Sequence, residues 1–153
     1  MAQAARWMRM RPAADGDTAT QCAGFALAQP AAADPVLVWL RSQGACAFAL
    51  IAPCRLAPGR TWRWLAWGAM PAVAACRAFG LPAYLEGESI WLHGRREAGV
   101  RAAHIGQCAV IEGAFPAQLA AEPGLEAAFR ERIEAQHGWH FETAWPSGGE
   151  ARR

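Results

Sequence analysis

The chain contains no lysine and no asparagine, so every one of its 15 Lys-or-Arg positions is an arginine. Without a side-chain amine there is no Schiff-base former and no ammonium point charge to hold a phosphate or carboxylate; such roles fall to planar guanidinium groups. Charge is scarce as well: 18% of residues are charged and the net charge is +2, too little to attract nucleic acid or an anionic membrane. No apolar run approaches the roughly 18 residues of a membrane span. The opening stretch Met1-Ala2-Gln3-Ala4-Ala5-Arg6-Trp7 lacks the apolar centre of a signal peptide. These absences set the expectation of a cytoplasmic protein whose partners are neither nucleic acid nor membrane. Cys22, Cys46, Cys54, Cys76 and Cys108 form an odd, scattered set with no Cys-x-x-Cys pair. They read as small buried hydrophobes, not a disulfide framework, and no metal site is evident.

What is present is a hydrophobic fraction of 54% in 153 residues, enough for one domain with a proper core. The expected unit is residues 1–153, with 1–20 and 146–153 as loose termini. Val36–Leu40 and Ala45–Ala52, joined through Ser42-Gln43-Gly44, pattern as a β-hairpin. A helix is expected near Ala69–Phe79, with Pro71 in its first turn and Gly80 as its stop. From Leu81 to Phe115 short apolar runs alternate with Gly-containing turns, which predicts an antiparallel meander. Leu125, Phe129 and Ile133 repeat every four residues, marking a helix over about Pro123–His137, and Trp139–Glu142 can add an edge strand. The class is α+β, an antiparallel or mixed sheet with packed helices.

The most informative segment is Trp91-Leu92-His93-Gly94-Arg95-Arg96-Glu97-Ala98-Gly99-Val100. Gly94 supplies the positive φ of a tight hairpin turn, and Gly99 leaves room for close approach to the backbone. Arg95 and Arg96 alternate across the strand, so one faces a pocket and the other does not. Taken alone, the turn reads equally as two solvated arginines. Cys108, four residues after His104, offers a nucleophile and base if the two come within hydrogen-bonding reach. His137 and His140 read as exposed histidines at a helix C-terminus, and Trp62, Trp64 and Trp67 as core or pocket wall.

The order of these parts over about residues 36–115 resembles the catalytic domain of biotin/lipoate protein ligases, in particular a divergent, short group of ligase-like proteins. The resemblance rests on the hairpin, the helix ending in Phe79-Gly80-Leu81, and the Ile-Trp-Leu-x-Gly-Arg-Arg-x-Ala-Gly strand-turn-strand. In that family the second basic residue is a lysine holding the carboxylate and phosphate of an acyl-adenylate; here Arg96 stands in its place. The family's Arg-Arg-x-Ser/Thr-Gly-Gly loop is reduced to Arg41, Ser42 and Gly44. The resemblance implies that Arg96 faces inward, with Arg41, Ser42, Gly44, Gly94 and Gly99 around the ligand and Cys108 as a second catalytic candidate. It also implies ATP and lipoate, octanoate or biotin as ligands and a carrier protein domain as partner. The departures point to a degenerate ligase-like domain that binds a small acyl or biotin-like carboxylate, or its adenylate, with weak or no ligase activity. An active ligase or acyltransferase, and a structural or interaction protein keeping only the fold, are the alternatives.

Overall fold

The run Val36–Leu40 is buried at all five positions, which no one-sided sheet can achieve: alternate residues must enter two different cores. The computed structural model, which describes residues 2–11 and 18–142, shows how both are supplied. In chain order the elements are β1 (Gln3–Met10), α1 (Thr18–Leu27), β2 (Val36–Ser42), β3 (Ala45–Pro53), α2 (Trp64–Ala78), β4 (Tyr84–Glu86), β5 (Ser89–Leu92), β6 (Arg95–Ile105), β7 (Cys108–Ala114), α3 (Leu125–His137) and β8 (Trp139–Phe141). The eight strands form one sheet in the order β4-β5-β6-β7-β3-β2-β1-β8. Pairing is antiparallel from β4 to β2, whereas β1 lies parallel to both β2 and β8.

On one face Leu37, Trp39, Phe48, Leu50 and Ile111 pack under α2 and α3; on the other Val36, Val38, Ala49, Ile51 and Val110 pack under Cys22 and Ala26 of α1. The first core is aromatic. Phe129 of α3 lies 4.9 Å from Phe48, 5.2 Å from Phe115 and 6.0 Å from Trp7, ring centre to ring centre, the tilted and edge-on distances at which ring quadrupoles attract. Trp7 Nε1 and Arg9 Nε both donate to Glu126 Oε2, at 2.7 and 2.8 Å, fastening β1 to the first turn of α3. Gly68 brings α2 close to the sheet, because a Cβ there would lie 2.6 Å from Ile111 Cγ1.

The hairpin, the meander, both anticipated helices and the edge strand are present; three expectations are corrected. The N-terminal stretch is not a loose lead-in, since β1 and α1 occupy most of it; residues 146–153, the other expected loose end, lie outside the described residues. The α2 helix begins at Trp64, so Pro71 lies inside it and not in its first turn; burial of Trp64 and Gly68 against the sheet outweighs the hydrogen bond that proline forgoes. His137 is not an exposed capping residue. Its ring is held between Trp67 and Trp139, at 4.6 and 4.8 Å, and its Nε2 is buried with no hydrogen-bond partner among the described residues.

Two outcomes follow from this packing. Gly68→Ala drives a methyl into Ile111 and should destabilise the fold by about 1–3 kcal/mol in urea denaturation. Burial holds His137 down at about 4, against 6.5 for a free imidazole. Between those values the unfolded chain binds a proton that the folded chain does not, so stability is full above the upper value and falls as pH drops towards the lower. The urea midpoint of the wild type should therefore fall more from about pH 7 to about pH 5 than that of His137→Phe; equal falls would show that the ring titrates freely.

Candidate ligand-binding site

The β5–β6 turn is built from His93 and Gly94, both at positive φ (52° and 76°), the backbone of a tight two-residue hairpin. Just beyond it the ladder is irregular. Ile90 pairs with Ala98 but Trp91 pairs with Arg96, so Glu97 is an extra residue. Partners across an antiparallel ladder share a face. Ile90 and Ala98 belong to the core under α2 and α3, so Trp91 and Arg96 face the α1 side, as do Ser89 and its partner Gly99. Without the bulge, strict alternation would place Arg96 beside Ala98 in the core and turn Arg95 towards Gly99. Arg95 instead pairs with Leu92, on the opposite face from Arg96.

On the α1 side, Ser89, Arg96 and Gly99 line an open pocket of about 630 Å³ with Leu40, Ala47 and Ala114 on its apolar wall and Thr18 and Ala19 of α1 at one end. Arg96 Nε donates to Ser89 Oγ at 2.6 Å. Arg101 also reaches the pocket, but it is paired with Glu112 across the β6–β7 ladder. That hydrogen bond to a carboxylate pushes the Arg101 pKa above its usual value, so the guanidinium stays charged with its charge balanced by Glu112. Among the described residues Arg96 has no carboxylate partner, so its remaining N–H groups can grip an oxyanion. A Cβ on Gly99 would lie 3.1 Å from Arg96 Nη2, so a side chain there displaces the guanidinium. Gly113, which sequence reasoning passed over, allows Val100 and Phe48 to close beneath the pocket: a Cβ there would sit 2.7 Å from Val100 Cγ1 and 2.8 Å from Phe48 Cε1.

The other anticipated residues are not gathered here. Arg41 shares the α2/α3 face with Trp39, two residues earlier. Arg41 and Ser42 line a separate open cleft of about 1080 Å³ together with Arg9, Arg11 and Glu126. Arg41 Nη2 donates to Ala120 O at 3.4 Å, and Gly44 serves the β2–β3 turn at φ 77°. Cys108 is fully buried in the core under α1. The thiol next to His104 is that of Cys54, with Sγ 3.4 Å from Nε2. The expected Cys108–His104 pair is thus replaced by Cys54–His104, because residue 104 points to the α2 side of the sheet and residue 108 to the other. No group of three or more His, Cys, Asp or Glu suited to a metal ion occurs among the described residues, and no helix among them is long and apolar enough to cross a membrane.

The architecture matches solved structures of known activity. An archaeal bi-partite lipoate protein ligase from Thermoplasma acidophilum, described with its E2 lipoyl domain, superposes with a TM-score of 0.74 at 9% identity, over 92% of this chain and 86% of that one. A lipoate-protein ligase A bound with ATP gives 0.70 at 8% identity, over 93% and 88%. The biotin acetyl coenzyme A carboxylase synthetase of Helicobacter pylori, with bound biotinylated ATP, gives 0.56 at 13% identity, over 87% and 74%. What is shared at such identities is the fold: this chain has the architecture of the lipoate and biotin protein ligase catalytic domain. No protein-family model matches the chain, and no curated protein sequence does either.

Proposed function

We propose that this chain is a divergent member of the lipoate and biotin ligase family that binds a small acyl or biotin-like carboxylate, or its adenylate, at Arg96, with weak or no ligase activity. The observation that carries the reading is the Arg96 guanidinium, lining an open pocket with an apolar wall and, among the described residues, held only by the neutral hydroxyl of Ser89. One unneutralised guanidinium suits one carboxylate, and Leu40, Ala47 and Ala114 suit the chain or ring behind it. ATP is a poorer match. Its polyphosphate would meet Glu88 at the same pocket, with Arg101 already paired with Glu112, no lysine in the chain, and the β2–β3 turn committed to another cleft. Lipoate, octanoate and biotin are the ligands to test, and a lipoyl or biotinyl carrier domain is the partner through which residual transfer would be seen. The cytoplasm remains the proposed compartment.

Calorimetric titration with lipoate, octanoate and biotin tests the anchor. A charge-assisted arginine–carboxylate contact contributes on the order of 1.5–3 kcal/mol, so Arg96→Ala should weaken binding roughly ten- to a hundredfold. Gly99→Val should weaken it by displacing the same guanidinium, whereas Arg95→Ala, on the other face, should change little. Equal losses at Arg95 and Arg96, or none at either, would place the anion elsewhere. Incubation with ATP, each acid and a carrier domain should give no carrier labelling above a no-enzyme control; clear turnover would show that arginine performs the family lysine's task.

A further inference from the structure

The β3 strand ends at Pro53, and Cys54 opens a 3-10 turn, Cys54–Leu56. Its backbone N–H donates to Gln107 O at 2.9 Å, which fixes the residue against the β6–β7 turn. Its Sγ lies 3.4 Å from His104 Nε2, and the imidazole is braced in turn: the buried ring of Trp64 meets it edge-on at 5.4 Å and 77°. Trp64 is itself anchored by donating from Nε1 to Pro58 O at 2.7 Å. A thiol, a base in contact with it and a third group orienting the base make the arrangement of an activated nucleophile. Cys22, Cys46, Cys76 and Cys108 are all buried, whereas Cys54 is partly open and His104 is exposed.

We propose that Cys54 and His104 form a thiol–imidazole pair that reacts with low-molecular-weight disulfides, making Cys54 a site of reversible S-thiolation. Burial pushes the Cys54 thiol up, so it rests protonated at neutral pH and the neighbouring base governs its reaction. With the ring proton on Nδ1, His104 Nε2 takes the Sγ proton as Sγ attacks one sulfur of the disulfide. The Cys54–S bond forms, the disulfide's own S–S bond breaks, and the departing thiolate leaves as a thiol with the proton from the imidazolium. The protein thiol is oxidised and the leaving sulfur reduced. Such exchange needs an open line to the sulfur and a proton acceptor. Acyl transfer also needs oxyanion donors, and the Cys54 amide, already bonded to Gln107, cannot supply one. The expected product is a mixed disulfide, because the other four cysteines are buried and closed to attack.

Glutathione disulfide is the probe, added to the full chain near neutral pH, with adducts counted by intact mass and located by peptide mapping. One adduct, on Cys54, is expected, and none in Cys54→Ser. Cys54 should be modified about tenfold faster in the native chain than in the same chain unfolded in urea, since an activated thiol loses its base on unfolding whereas a merely accessible one reacts faster. His104→Gln should slow the native rate by about tenfold or more, with thermal midpoint unchanged. A first adduct on any other cysteine, or a native rate at or below the unfolded rate, overturns the proposal. So does an undiminished rate in a folded His104→Gln variant.

Discussion

The three central strands, β7, β3 and β2, are apolar on both faces, and that constraint organises the molecule. Each successive residue of Val36–Leu40 must be removed from water by a different layer, so α1 has to cover one face and α2 with α3 the other. The coverage is uneven. A ten-residue α1 spans only about 15 Å along its axis, while strands spaced about 4.8 Å apart make the sheet wider than that. Beyond Thr18, where α1 begins, the described residues leave open the part of the sheet around Ser89, Gly99 and Glu112. The candidate pocket is that uncovered patch. On the densely packed side, among the described residues, Trp39 Nε1 is buried without a hydrogen-bond partner.

Most of the fold was legible in the sequence because its strands and α3 obey simple periods. Leu125, Phe129 and Ile133 are all buried, and Gly44, Gly87, Gly94 and Gly106 all take positive φ at hairpin turns. The first strand escaped because it buries only Ala5 and Trp7 among eight residues, with Arg6 between them and Arg9 beyond. The α1 helix escaped because its two buried residues are small, Cys22 and Ala26, and Gly24 interrupts it. Proline misplaced the start of α2, since local preference points to a helix beginning while tertiary burial of Trp64 begins it sooner.

The site was legible only in part. The alternation of Arg95 and Arg96 holds, but which of them enters the pocket is decided by one inserted residue, Glu97, and no local pattern announces a bulge. Arg41 and Arg96 stand on opposite faces of the sheet and do not share a cavity. That separation depends on the pleat of two strands distant in the chain. Cys54 and His104 are 50 positions apart, and spacing along the chain offers no hint that they meet; the apparent His104–Cys108 pair was separated by the hairpin that brings their strands together.

The parallel pairing of β1 with β8 has a consequence for how the molecule is made. Gln3 lies beside Trp139 and Ala5 beside Phe141, so one edge of the sheet is finished by residues more than 130 positions after the ones they join. As the chain leaves the ribosome, β1 can settle on β2 early, through the α1 crossover. Its outer edge, and the Trp7 ring that meets Phe141 at 5.0 Å, stay unprotected until residues 139–141 have emerged. Contacts of such long range are slow to close. During that interval a nascent chain presents an open strand to its neighbours, which makes the wait for β8 the stage at which this fold is most exposed to mispairing.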